Sequence, residues 1–140
     1  MNIEEVGQLL KHKRIVQLGS TYKVVKYTDL GIRTIQLAEE QPETITMKTL
    51  KKLSQHLDID VFIDLRKIEN YEEIGTYISQ MRQLKNLTYK EIADQVGNDQ
   101  NGKPLITLQA VRHIEKNADK AKIINLMRIL NVLKSELIIK

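Results

Sequence analysis

The chain has no cysteine and no tryptophan, only two prolines and six glycines, and aromatic residues make up 4% of its 140 positions. Without cysteine there are no disulfides, thiolate zinc sites or cysteine nucleophiles, which suits a reducing compartment. So few breakers favour helices joined by short loops. No run approaches the roughly 18 apolar residues of a membrane span, and the first ten residues, MNIEEVGQLL, are too acidic and polar for a signal peptide. A cytoplasmic protein with no membrane contact is expected. His12, His56 and His113 lack metal-ligand spacing. No G-x-S-x-G, P-loop or dinucleotide fingerprint occurs, and the carboxylates are scattered along helices rather than gathered into a constellation. These absences argue against an enzyme and against a cofactor. What is present is an ordinary globular composition, 41% apolar and 29% charged, with a net charge of +4 and a pI near 9.2. That basic excess permits nucleic-acid binding without demanding it.

The chain repeats itself. Ile3-Glu4-Glu5-Val6-Gly7 aligns with Tyr71-Glu72-Glu73-Ile74-Gly75 at an offset of 68, and Leu10, Arg14, Ser20 and Val24 meet Ile78, Arg82, Thr88 and Ile92 at the same offset. Residues 98 to 105 are then an insertion in the second copy, moving the offset to 76, so that Leu30, Ile35, Ala38 and Glu39 meet Ile106, Val111, Ile114 and Glu115. A loop shorter by three is expected to bring the offset to 73 further on, pairing Thr46, Leu50, Leu53 and Leu57 with Asp119, Ile123, Leu126 and Leu130. Each copy reads as four helices and a tail, with spans in the first near 3 to 17, 21 to 28, 32 to 40 and 47 to 57. After the fourth helix, residues 58 to 65 alternate apolar and polar apart from Phe62, which predicts a strand. Leu137-Ile138-Ile139 is its expected partner in a two-stranded ladder, which needs helices or a second chain against it to be stable. The connector Arg66 to Asn70 spans at most about 17 Å, so the copies should touch.

The most informative stretch is Leu87 to Glu115. Thr88 and Glu91 form a T-x-x-E capping box, so a helix should start at Tyr89, bury Ile92 and Val96, and stop at Gly97. Thr107 is a natural N-cap for a second helix, in which Val111 and Ile114 fall on one face while Leu108, Gln109, Arg112 and His113 fall on the other. Asn101-Gly102 implies a tight turn inside the insertion. Helix, turn and a second helix with a polar outer face is the order of a helix-turn-helix reader.

LTYKEIADQVG followed by ITLQAVRHIE resembles the helix-turn-helix of the Cro and phage-repressor family, also called the xenobiotic-response-element type. Ala93 and Gly97 stand at its small-residue positions, Ile92, Ile106, Val111 and Ile114 at its core positions, and Glu115 at the acid that closes the recognition helix. The resemblance implies a mostly α chain of two tandem repressor-like helix-turn-helix domains, each of four or five short helices followed by a short β-strand, over residues 1–68 and 69–140. It implies two structural salt bridges, Arg14 with Glu39 and Arg82 with Glu115. It also implies a partner, double-stranded DNA. In the second copy the contact positions carried over are Thr107, Gln109, Arg112 and His113, with Tyr89 and Lys90 toward phosphates and Lys116 and Asn117 beside them. In the first they are Arg33, Thr34 and Gln36, with Tyr22 ahead of them. Glutamine suits adenine N6 and N7 and arginine suits guanine O6 and N7. The first copy departs from the family at Val25 and Asp29, and its Glu39-Glu40-Gln41-Pro42-Glu43 places acid where the backbone would approach.

The expected function is a sequence-specific DNA-binding transcriptional regulator, whose two heads act as a covalent pseudo-dimer or which forms a homodimer. Two alternatives stay open: an antitoxin-like repressor with a toxin-like protein partner, and a helical interaction module that has lost DNA binding.

Overall fold

Caps and apolar spacing set the helices. Asn2 accepts from the Glu5 amide while the Glu5 carboxylate accepts from the Asn2 amide, a reciprocal box that starts α1, Ile3–Gln17, at 2.9 Å in both directions. Ser20 caps α2, Thr21–Tyr27, and Gly31 precedes α3, Ile32–Glu40. A short 3-10 turn, Pro42–Thr44, leads to α4, Met47–Leu57, capped by Thr46. The second half gives α5, Glu72–Leu84, α6, Tyr89–Val96, and α7, Leu108–Lys116, then a 3-10 turn at Ala118–Lys120 and α8, Ile123–Val132. The computed structural model describes all 140 residues. No helix in it is long and apolar enough to cross a membrane.

Three short strands complete the chain: β1, Val61–Ile63, β2, Arg66–Ile68, and β3, Leu137–Ile139, in the antiparallel order β2-β1-β3. The ladder between β1 and the C-terminal strand is as expected, with Phe62 opposite Ile138. Asp60 and Lys140 exchange both backbone hydrogen bonds, at 2.7 and 3.0 Å, and the Asp64 amide donates to the Glu136 carbonyl at 2.9 Å. The connector expectation is corrected. Arg66 to Ile68 is not a spacer but a third strand, folded back on β1 through Asp64-Leu65 with Ile63 opposite Arg66. Asp64 adopts a left-handed φ of 54°, which aspartate tolerates better than most residues, so the turn forms without the glycine that would have signalled it.

The repeat register is also corrected. The offset does not fall to 73. The two 3-10 turns, α3 and α7, α4 and α8, the left-handed residues Asp58 and Lys134, and β1 and β3 all correspond at 76. Leu50, Leu53 and Leu57 therefore match Leu126, Ile129 and Leu133. Apolar rows recur every three or four residues along a helix, so a slip of three fits a sequence nearly as well. Backbone pairing decides: the Met47 amide donates to the Ala121 carbonyl at 2.9 Å and the Ile123 amide to the Ile45 carbonyl at 3.1 Å, placing Thr46 opposite Lys122. Phe62 opposite Ile138 and Thr46 opposite Lys122 are each a residue facing its own counterpart in antiparallel array. That is the mark of an isologous contact about a local twofold axis. The packing is reciprocal, with α8 against the first 3-10 turn and α4 against the second. Buried residues of both halves join in one cluster of 32.

The ladder makes a proline test specific. Asp60, Phe62 and Asp64 turn their backbone groups toward β3, whereas Val61 and Ile63 turn theirs toward β2. Phe62→Pro is therefore expected to raise amide exchange at Lys140 and Ile138, and Ile63→Pro to leave those amides protected. Equal exchange in the two variants would show the ladder phase to be wrong.

Candidate nucleic-acid interface

The second half presents the better-formed helix pair. Thr88 accepts from the Glu91 amide and Glu91 accepts from the Thr88 amide, both at 3.1 Å, which starts α6 at Tyr89. Ile92 and Ala93 are buried. Gly97, at φ 98°, ends the helix in a conformation that L side chains rarely adopt. The insertion is an ordered hairpin rather than a slack loop. Asn98 pairs with Pro104, the Leu105 amide donates to the Gly97 carbonyl at 3.0 Å, and the Asp99 carboxylate accepts from the Asn101 and Lys103 amides at 2.8 and 3.0 Å. Its turn has Gly102 at φ 79°. The hairpin returns the chain to Ile106, which is buried, so α7 still packs through Val111 and Ile114 against α5 and α6.

On the outer side of α7 the side chains of Gln109, Arg112 and His113 are exposed, and none is held by an ion pair or side-chain hydrogen bond within the chain. Thr107 is exposed but occupied, its hydroxyl accepting from the Ala110 amide at 3.1 Å. Leu108 stays partly exposed beside them. Lys116 is exposed on the last turn, and Asn117, half-buried, forms the C-cap. At the start of α6 the two residues carried over toward phosphates are otherwise engaged. Tyr89 turns its hydroxyl to Glu115 at 3.4 Å and lies under the Arg82 guanidinium, 4.4 Å from ring centroid to the cation. Lys90 pairs with Asp94 at 3.0 Å.

The first half places Arg33 exposed and Thr34 and Gln36 half-buried on α3. Tyr22 is 74% exposed at the start of α2, free where Tyr89 is tied. Glu40, the last residue of α3, and Glu43, in the 3-10 turn after it, are exposed; their counterparts at offset 76 are Lys116 and Asp119, with Lys120 next to the latter.

Each outer helix is locked at its C-terminal end. Arg82 donates through Nε and Nη2 to the two Glu115 oxygens at 2.8 and 3.1 Å and through Nη1 to the Leu87 carbonyl at 3.2 Å. Arg14 grips Glu39 through the same two nitrogens and donates to the Gly19 carbonyl at 2.9 Å. Both forks match the carboxylate bidentately. Glutamate 115 feels two opposed influences: burial pushes its carboxyl up, and the contacts from Arg82, Ser79 and Tyr89 outweigh this and hold it below the ordinary value. The Arg82 guanidinium is held above its own, chiefly by Glu115.

A second lock escaped the sequence reading. A Cβ on Gly75 would stand 2.3 Å from the Glu115 carbonyl oxygen, and one on Gly7 would stand 2.4 Å from that of Glu39. These glycines let α5 and α1 press on the ends of α7 and α3. Their recurrence at the same place in both copies was the available signal.

Compared with known protein families, curated proteins and solved structures, the chain finds no match.

Proposed function

We propose that this chain is a sequence-specific DNA-binding regulator in which α3 and α7 are the paired recognition helices of two repressor-like heads, divided near residue 68. The observation that carries the reading is the outer face of α7. Gln109, Arg112 and His113 stand unpartnered on a helix held by a bidentate ion pair and a glycine contact, so they are rigidly displayed without a role in the fold. Amide, guanidinium and imidazole groups offer the donors and acceptors that read base edges in a major groove. The local twofold relation supports a single chain addressing two half-sites, as two-headed readers do.

The halves divide the work unequally. Lys116 and Lys120 beside α7, set against the single acid Asp119, would draw phosphates closer, whereas the first half has Glu40 and Thr44 at their places and Glu43 opposite Asp119, so that it would repel them. Tyr22 is the free phosphate contact of the first head. Gln109→Ala is expected to cost about 1 to 3 kcal/mol of binding and to relax preference at one base pair. Lys116→Ala should weaken all sequences alike and reduce the salt slope by about one unit. Arg33→Ala should matter less than Gln109→Ala. Titration of these variants against a selected duplex at several salt concentrations measures all three. If binding and sequence preference survive Gln109→Ala and Arg112→Ala together, α7 is not the reader, and the interaction-module alternative takes over.

A further inference from the structure

The two outer edges of the sheet differ in a way that the local twofold relation makes informative. The outer edge of β1 is filled by β2, in which Val61 pairs with Ile68 and Ile63 with Arg66. Ile68 is buried there, beside Lys51, Gln55 and Tyr71. The corresponding edge of β3 has no strand on it. Because Asp60, Phe62 and Asp64 take up the backbone groups of residues 140, 138 and 136, those of Leu137 and Ile139 face outward. The Ile139 amide meets only the Met1 sulfur, at 3.3 Å, and a thioether is a weak acceptor. Beside this edge lies a groove of about 710 Å³, whose wall includes Ile3, Ile124, Met127 and Asn131. Ile3, Met127 and Asn131 are the counterparts of Tyr71, Lys51 and Gln55, which line one cavity together with Ile68. Leu137 and Ile139 are only 2% and 0% exposed, so this edge is covered while Met1 lies on it; with Met1 displaced, an unpaired edge of this kind templates a further strand.

We propose that β3 of a second copy of this chain occupies that edge, antiparallel and centred on Ile138, to give a continuous six-stranded sheet across a dimer. The sequence Glu136-Leu137-Ile138-Ile139-Lys140 is complementary to itself in that register. Leu137 of each copy faces Ile139 of the other, and their four outward amide and carbonyl pairs satisfy one another. Ile139 of the second copy then stands where Ile68 stands on the other edge, an isoleucine in an equivalent site, now against Met127 and Ile3. On the opposite face Glu136 of each copy lies across from Lys140 of the other, a favourable cross-strand pair. Ile138 meets its own counterpart, flanked on each side by Phe62. Met1, whose amino group pairs with Glu136 and whose sulfur covers Ile139, is the group displaced. The contact is isologous and closes on itself. It does not depend on the DNA reading.

Sedimentation velocity over a concentration series tests the proposal. The expected mass rises from 16.2 kDa toward twice that value with concentration. Ile139→Pro removes an outward donor while leaving the pairing of β3 with β1 intact, so it is expected to stay at 16.2 kDa throughout. Glu136→Lys and Lys140→Glu singly oppose like charges and should weaken association at least tenfold, and the double exchange should restore it. This rescue keeps the test decisive if circular dichroism shows Ile139→Pro to be misfolded. A wild-type chain that stays monomeric through the series overturns the proposal. So does a dimer unchanged by Ile139→Pro, or a charge-exchanged double variant no better than the singles.

Discussion

Replacing Arg82 by Ala is expected to cost about 3 to 5 kcal/mol of folding stability, because it strands a carboxylate in a partly buried site. The side chains of Arg82 and Glu115 are only 17% and 8% exposed, and an exposed pair would be worth under about 1 kcal/mol. The guanidinium also satisfies the Leu87 carbonyl and covers the Tyr89 ring, so three elements lose a contact at once. Denaturant unfolding measures the loss. The pH dependence gives it a signature. The folded Glu115 carboxyl lies below its ordinary value of 4.5, so its contribution is complete above that pH and is lost as pH falls through the folded value. Protonation also removes the stranded charge in Arg82→Ala. The gap between wild type and variant should therefore be widest near neutrality and narrow in acid. A loss under about 1 kcal/mol, or a gap that does not change with pH, would mean that the pair is not buried in solution.

Gly75→Ala is the second large effect, and its sign is the test. On helix propensity alone, alanine for glycine in a helix interior gains close to 1 kcal/mol. Here the new methyl would meet the Glu115 carbonyl oxygen at 2.3 Å. A backbone atom cannot swing aside as a flexible side chain can, so overpacking should cost about 3 kcal/mol, the upper part of the usual range. Thermal unfolding should show the midpoint falling. Gly7→Ala should behave alike in the first half, where Glu39 is the atom met. A midpoint that rises in either variant would show that the helices do not approach this closely. Because Gly75 and Arg82 grip the same residue at the end of α7, both changes should also disturb the outer face of α7 that carries Gln109, Arg112 and His113.

The helix pair α6 and α7 was legible because it announced itself locally: Thr88 with Glu91 as a capping box, Thr107 as an N-cap, Gly97 as a stop; α8, which has no side-chain cap, did not. The ladder between β1 and β3 was legible from alternation around Ile59 to Leu65; the strand itself is Val61–Ile63, with backbone bonds at Asp60 and Asp64 extending the pairing by one residue at each end. Three features were not. The strand β2 hides behind a turn at Asp64-Leu65, which lacks the Asn-Gly signature that marks the turn at residues 101–102. The register of α8 was ambiguous in composition and is decided by backbone bonds between Ile45, Met47, Ala121 and Ile123, which no local pattern encodes. The withdrawal of Tyr89 toward Glu115 depends on the fold bringing together residues 26 apart. On the candidate site, the outward direction of Gln109, Arg112 and His113 followed from the spacing of Val111 and Ile114 alone. The occupation of Thr107 and Lys90 by neighbours is short-range chemistry, legible in retrospect as an N-cap and as a Lys-Asp pair four apart on a helix.

Selection of bound sequences from random duplex DNA tests the central claim most directly. The account predicts an enriched site with one strong half, read by α7, and a weaker half about one helical turn away, read by α3 of the same chain. Preference at one base pair of the strong half should disappear in Gln109→Ala. Failure of any sequence to enrich above the starting pool, or enrichment that is identical for wild type and the Gln109→Ala, Arg112→Ala double variant, would contradict it.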